Sequence, residues 1–226
     1  QTGLLDLDIH GPSIAKMLGI EDLRLQGIGN KIMPIKVTGS LKVISMALLL
    51  NETDSPVVWR GPMKAAAIQQ FLGDVDWGDL DYLVCDLPPG TGDEALNIVQ
   101  YAPNVEGAVI VTTPQDVAVL DSTKAIKFIE MMELPVLGII ENMSGLVCPH
   151  CGEVLEVFGQ GGGKKAADKY NVPFLGSIPL DIDMRRAGDE GRPFILKSPG
   201  QKGGEATREA VDKVMENLIA EVEKRE

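Results

Sequence analysis

At 226 residues, 44% hydrophobic and 24% charged, the chain has the length and balance of one globular domain with a sizeable core. A formal net charge of −12 argues against nucleic-acid binding and against an anionic membrane surface, which both need clustered Lys and Arg. No apolar run approaches the roughly 20 residues that span a bilayer, and three Cys are too few for a disulfide framework.

Short apolar runs alternate with helical patterns along the chain, the sign of βαβ units and a mostly parallel sheet with helices on both faces. Strands are predicted over 3–8, 41–45, 82–86, 108–112, 136–142 and 174–178. Most are nearly continuous in apolar residues, as strands covered on both faces should be. Helices are predicted over 13–18, 63–72, 93–101, 116–132 and 164–170, with a last one from about 204 to 225. In the helix at Asp116, Thr113 is expected to cap, Pro114 suits the first turn and Asp116 favours the positive end of the dipole. The last helix sets Ala210, Val211, Val214, Leu218 and Val222 on one face, against a charged face. The stretch 192–204, rich in Pro, Gly and Lys, reads as a loop. With no repeat and no linker, residues 1–226 read as a single domain carrying a Cys-x-x-Cys insertion around 144–160.

Two acidic strand ends carry the first chemistry. One is Asp6-Leu7-Asp8-Ile9-His10-Gly11-Pro12-Ser13; the other is Asp86-Leu87-Pro88-Pro89-Gly90-Thr91-Gly92-Asp93. Ligands of doubly wound sheets sit beyond the carboxyl ends of strands. A carboxylate such as Asp86 can hold Mg²⁺ through water while the metal bridges phosphates. Asp8 is placed to orient a water for in-line attack, and Gly90 leaves its N–H free to approach a γ-phosphate. The competing reading is that each Asp only caps its loop.

The pair Cys148-Pro149-His150-Cys151 puts two thiolates on one turn, which in a reducing cytosol points to metal or redox work. Two ligands are half a tetrahedral set. A two-fold dimer completes it, with Cys148 and Cys151 of each copy meeting at the axis. Four thiolates suit an iron–sulfur cluster or zinc, and a redox pair is the third reading. Cys85, in a buried strand, reads as an inert core thiol. His10 and His150 read as solvated or supporting residues, and Arg60 faces either a partner or phosphates or makes a surface ion pair.

Together with Trp59-Arg60-Gly61-Pro62, Glu141-Asn142-Met143 and Ile178-Pro179-Leu180-Asp181, these segments closely resemble the Mrp/ApbC family along essentially the whole chain. Its members are P-loop ATPases related to MinD and ParA that carry iron–sulfur clusters. The resemblance implies that Asp8 is the switch I carboxylate and Asp86 the Walker B Asp. It places Gly90 in switch II, and Asn142 and the segment from Pro179 to Asp181 beside the adenine. An Asn amide both donates to and accepts from an adenine edge; satisfying its own loop is the alternative. A [4Fe–4S] cluster bridging a homodimer is implied as well.

The family's phosphate loop, with its Lys and Ser/Thr, precedes the first strand present here, so an upstream segment carrying it is expected. The tract 159–165 is no substitute. In G-x-x-x-x-G-K-[ST] the first Gly would fall on Phe158, and Lys165 stands where the hydroxyl belongs. The tract instead reads as a helix start whose N–H groups attract an anion.

The expectation is therefore an ATP- and Mg²⁺-binding iron–sulfur cluster carrier. It works as a cytoplasmic homodimer, away from membranes and nucleic acid, between a cluster assembly scaffold and apo iron–sulfur proteins. ATP hydrolysis is expected of the full-length protein and not of these 226 residues alone. A MinD- or ParA-like positioning ATPase and a zinc-binding scaffold are the alternatives. The mixed charge of 221–226 goes against the membrane helix that positioning requires.

Overall fold

In a computed structural model of the chain, the described residues are 1–8, 11–49, 61–148, 150–196 and 204–225. His10, Trp59, Arg60 and Pro149, named above, lie outside them. Two compact units are present.

The first unit comprises Gln1–Pro103 and Arg186–Leu196. It contains β1 (Thr2–Asp6), α1 (Ile14–Met17), β2 (Gln26–Ile28), β3 (Lys31–Met33), β4 (Ile35–Lys36), β5 (Leu41–Ser45), α2 (Gly61–Gly73), β6 (Tyr82–Asp86) and α3 (Asp93–Tyr101). Its sheet runs β4-β5-β1-β6. The strand β1 is parallel to both β5 and β6, while β4 is antiparallel to β5. Leu5, Leu7, Val43, Ile44 and Ile68 have no exposed surface. Each such side chain contributes about 1.5–3 kcal/mol through burial.

The apolar run of β6 led us to expect burial on both faces. Instead Tyr82, Leu83 and Val84 are exposed; among the described residues β6 is the edge of its sheet, paired with β1. The antiparallel pair β2–β3 was not foreseen; its tight turn is built on Gly29, at φ +60°.

The second unit holds Asn104–Arg185 and the C-terminal helix. Its elements are β7 (Ala108–Thr112), α4 (Asp116–Met131), β8 (Val136–Glu141), β9 (Leu146–Val147), β10 (Val154–Leu155), α5 (Gly162–Tyr170), β11 (Phe174–Ser177), α6 (Ile182–Asp189, whose residues from Arg186 belong to the first unit) and α7 (Glu205–Glu223). The sheet β11-β8-β7 is wholly parallel. One core joins α4 and α5 to it through Ile110, Ile126, Ile129, Val136, Ile139, Ala166 and Ala167. The helix α7 packs along β11 and β8, with Asn217 Nδ2 donating to the Leu175 carbonyl at 2.8 Å.

Two local expectations need correction. Gln115, not Thr113, is the N-cap of α4 and makes no side-chain cap bond; the Thr113 hydroxyl donates to the Gln115 side chain instead. The helix α6 was also unexpected, because its start is fixed by a carboxylate outside it. No helix among the described residues is long and apolar enough to cross a membrane.

Candidate functional site

Parallel register places Asp6 of β1 opposite Asp86 of β6 at the carboxyl end of the first unit's sheet. Asp6 is fully buried and accepts bonds from Ser45 Oγ (2.8 Å) and the Asp8 N–H (3.2 Å). Burial nevertheless holds its carboxyl above the usual aspartate value, and the nearby charges of Asp86 and Asp8 push the same way. Asp8 lies just past β1, half-buried, and takes the Gly11 N–H at 3.1 Å. Asp86, also half-buried, is raised by burial and then by the charge of Asp8.

Three mutually repelling carboxylates form an environment that a cation would relieve. Among the described residues no three His, Cys, Asp or Glu converge as a ready metal-holding set.

Beyond Asp86 the chain turns through Gly90, exposed and at φ +93°, a conformation that side chains rarely adopt. The turn leads into α3, whose first-turn Glu94 pairs with Lys64 of α2 at 2.7 Å; both side chains are largely buried. The start of α3 is thereby tied to the start of α2.

In the second unit, Asn142 follows β8. Its N–H donates to the Thr112 carbonyl (2.7 Å), and its Oδ1 accepts the Met143 N–H (2.9 Å), leaving Nδ2 as a donor. Pro179 is half-buried in a segment laced to the residues after β8. The Ile178 N–H donates to the Glu141 carbonyl, Ser144 N–H to the Ile178 carbonyl and Leu180 N–H to the Gly145 carbonyl, all at 2.8–2.9 Å.

Asp181 has its own employment. Oδ1 accepts the N–H groups of Asp183 (2.7 Å) and Met184 (3.0 Å), and Oδ2 accepts the Thr207 hydroxyl (2.6 Å). Its carboxylate caps α6, so the Asp181 side chain is engaged within the protein.

The cysteines sit on a small hairpin. Strands β9 and β10 pair antiparallel, and the Cys148 N–H closes on the Glu153 carbonyl at 2.8 Å. The Gly152 N–H donates to the Cys148 carbonyl at 2.9 Å, with Gly152 at φ +76°. Cys148 is half-buried and Cys151 exposed. The backbone N–H groups of Cys151 and His150, then the Cys151 side chain, pull the Cys148 thiol below its ordinary value. Val147, Val154, Leu155 and Val157 are exposed around the pair. Burial pushes Cys85 the other way, up to about 11, which suits an inert thiol.

Sequence reasoning passed over Glu141. This residue closes β8 as Asp86 closes β6, and is fully buried. Its carboxylate takes Ser144 Oγ (2.6 Å) and the N–H groups of Gly161 (2.9 Å) and Gly163 (2.6 Å). The anion expected at the glycine-rich helix start is thus the protein's own. A carboxylate ending an apolar strand, the signal used for Asp86, was there to be read.

The chain matches the ParA family described as NUBPL iron-transfer P-loop NTPase over residues 1–218. An iron–sulfur cluster carrier protein of Methanocaldococcus jannaschii is 49% identical over 218 residues, 96% of this chain and 74% of that protein. A solved nucleotide-binding protein from Archaeoglobus fulgidus, in complex with ADP, superposes with a TM-score of 0.72 at 40% identity, over 85% of this chain and 74% of that one. The septum site-determining protein MinD of Pyrococcus horikoshii, complexed with Mg-ADP, shares the fold at 18% identity, with a TM-score of 0.64 over 96% and 82% of the two chains.

Proposed function

The chain belongs to the NUBPL iron-transfer P-loop NTPase family, and on that premise we propose that it is an ATP-driven carrier that binds an iron–sulfur cluster as cargo through Cys148 and Cys151 and passes it to apo-proteins. The observation that carries the reading is the hairpin: two adjacent thiols at an accessible tip, one with its proton loosened by backbone donors. They make half a ligand set. A second copy supplies the other half, and the exposed Val147, Val154, Leu155 and Val157 provide apolar surface for it to cover.

Each nucleotide role rests on its own residue. Bound Mg²⁺ would neutralise charge between the phosphates. Asp86 would hold it through water, and Asp8 would orient the attacking water. Gly90, with no side chain in the way, would offer its N–H to the γ-phosphate. Because α3 follows this turn and is tied to α2 through Glu94 and Lys64, movement of the turn on hydrolysis would be passed to α2. Asn142 Nδ2 would donate to an adenine edge, with Pro179 and the backbone at Asp181 lining the same side of the base.

The test is anaerobic reconstitution of the full-length protein with iron and sulfide, beside a variant carrying Cys148→Ala and Cys151→Ala. Iron and sulfide should be retained at one cluster per two chains and lost in the variant. Equal retention by both would sink the proposal. Zinc bound without sulfide would replace it with a zinc scaffold.

A further inference from the structure

We infer that Glu141 is a positioning residue that staples both ends of the cysteine-bearing excursion to the end of β8, so that the geometry of Cys148 and Cys151 depends on a carboxylate neither of them touches. The three donors it accepts come from two places in the chain. Ser144 Oγ (2.6 Å) stands where the excursion leaves β8; the N–H groups of Gly161 (2.9 Å) and Gly163 (2.6 Å) stand where it returns into α5. Between them lie residues 145–160, including the whole hairpin. One buried side chain therefore closes the loop at its base.

The surroundings are shaped for this contact. Gly161 enters α5 in the left-handed region, at φ +82°. A Cβ on Gly162 would lie 2.1 Å from the Pro114 carbonyl oxygen, and one on Gly163 would lie 3.1 Å from the Glu141 Cβ. Only a backbone without side chains brings these N–H groups onto the carboxylate. The charge is met by hydrogen-bond donors and the positive end of α5. Replacing the carboxylate by an amide would turn an –NH₂ toward the Gly161 or Gly163 N–H, each of which can only donate.

The base has little other rigidity. The hairpin ladder is two residues long on each side, and a hairpin of that size is marginal by itself. Among the described residues, further ties are the backbone bonds from Ser144 to Ile178 and from Leu180 to Gly145, with a bridge between Leu146 and Leu180. Without the staple the loop ends are free to separate, and the spacing of the two thiols is no longer set.

The inference rests on the reading that this hairpin holds the cargo, so its test has one arm that needs no cargo. In metal-free full-length protein, amide hydrogen exchange is followed for Glu141→Gln and Ser144→Ala against the parent. Glu141→Gln should speed exchange across 145–160 roughly tenfold or more, the range expected for hydrogen bonds to a buried charge, and leave β7 and α7 unchanged. Ser144→Ala should do so less strongly while the start of α5 stays protected. In the second arm, reconstituted Glu141→Gln should lose iron to a ferrous chelator about tenfold faster than the parent.

Faster exchange confined to 161–170 would make Glu141 a helix cap and overturn the inference. Should Glu141→Gln fail to fold, unchanged exchange of 145–160 in Ser144→Ala overturns it equally. A parent that retains no iron sinks the cargo reading alone, since the exchange arm still decides the staple.

Discussion

The glycine tract at the start of α5 offers a sharp test, because its two readings predict opposite results for Gly162→Ala. Were the tract a flexible phosphate loop, an added methyl would be tolerated, and alanine would raise helix stability by about 0.5–1 kcal/mol. The structure predicts the reverse. The new Cβ would stand 2.1 Å from the Pro114 oxygen and 3.1 Å from Val119 Cγ2. Relief to 3.0 Å requires a movement of 0.9 Å, and the first contact is backbone on both sides.

Moving α5 outward by that amount stretches the 2.6 Å bond from Gly163 to Glu141 to about 3.5 Å, the edge of hydrogen bonding. A weakened bond to a buried charge costs about 1.5–3 kcal/mol, and overpacking about 1–3 kcal/mol. After the propensity gain the net is about 2–5 kcal/mol, or a melting point lowered by roughly 4–20 °C in a chain of this size. Thermal unfolding followed by circular dichroism measures it. Gly73→Ala is the control, since a Cβ there meets nothing within 4 Å and should be neutral or stabilising. A Gly162→Ala melting point within about 1 °C of the parent would refute the packing argument.

Other expectations follow from the titrating groups and the base-side donor. Asp86 is raised above 3.8, so its favourable contribution is present below that pH and lost as pH rises through the folded-state value. Asp86→Asn should therefore unfold at higher urea than the parent at pH 7, with the gap closing toward pH 4; under the proposed role it should also lose any stabilisation by Mg²⁺ and ATP. A lower midpoint at pH 7 would contradict the assigned repulsion. The rise of Cys85 from 9.0 to about 11 cuts its thiolate fraction near neutrality about 100-fold. Iodoacetamide at pH 7.5 should then label Cys148 and leave Cys85 unlabelled in native protein, as mass spectrometry will read; labelling of Cys85 first would reverse the assignment. If Asn142 donates to adenine as proposed, Asn142→Ala would remove one neutral hydrogen bond and should weaken ATP binding about 3–10-fold in the full-length protein. Equal calorimetric affinities would remove Asn142 from the base.

Much of this was written in local pattern. The strands at 41–45, 82–86 and 108–112 were legible to the residue, because continuous apolar runs there stop at turn-forming or polar residues. Asp86 could be placed because a parallel strand delivers its last residue to the ligand end of the sheet. The turn carrying the two cysteines was legible from spacing, whereas the short β9–β10 pairing around it was not. What stayed hidden depends on distant partners. The helix α6 is capped by Asp181, whose carboxylate also holds Thr207, a residue far along the chain. The exposure of Leu83 and Val84 accompanies the place of β6 at the sheet edge among the described residues, which no apolar run encodes. Glu141 was hidden by its neighbour: Asn142 drew the attention, while the carboxylate beside it gathers donors from residues 144, 161 and 163.

The slightness of the β9–β10 ladder bears on how tightly cargo can be held. A two-residue pairing supplies almost no ordering free energy of its own. Part of the intrinsic strength of thiolate coordination must therefore go into fixing the hairpin, and that part is missing from the measured affinity. If the hairpin holds cargo as proposed, the loaded form would be stiffer than the empty one, since whatever binds the ordered hairpin alone shifts the balance toward it. Under the proposed carrier function, a grip weakened by its own softness would be an asset: a recipient with a preformed site of the same ligands would win the exchange without having to bind its metal more strongly atom for atom.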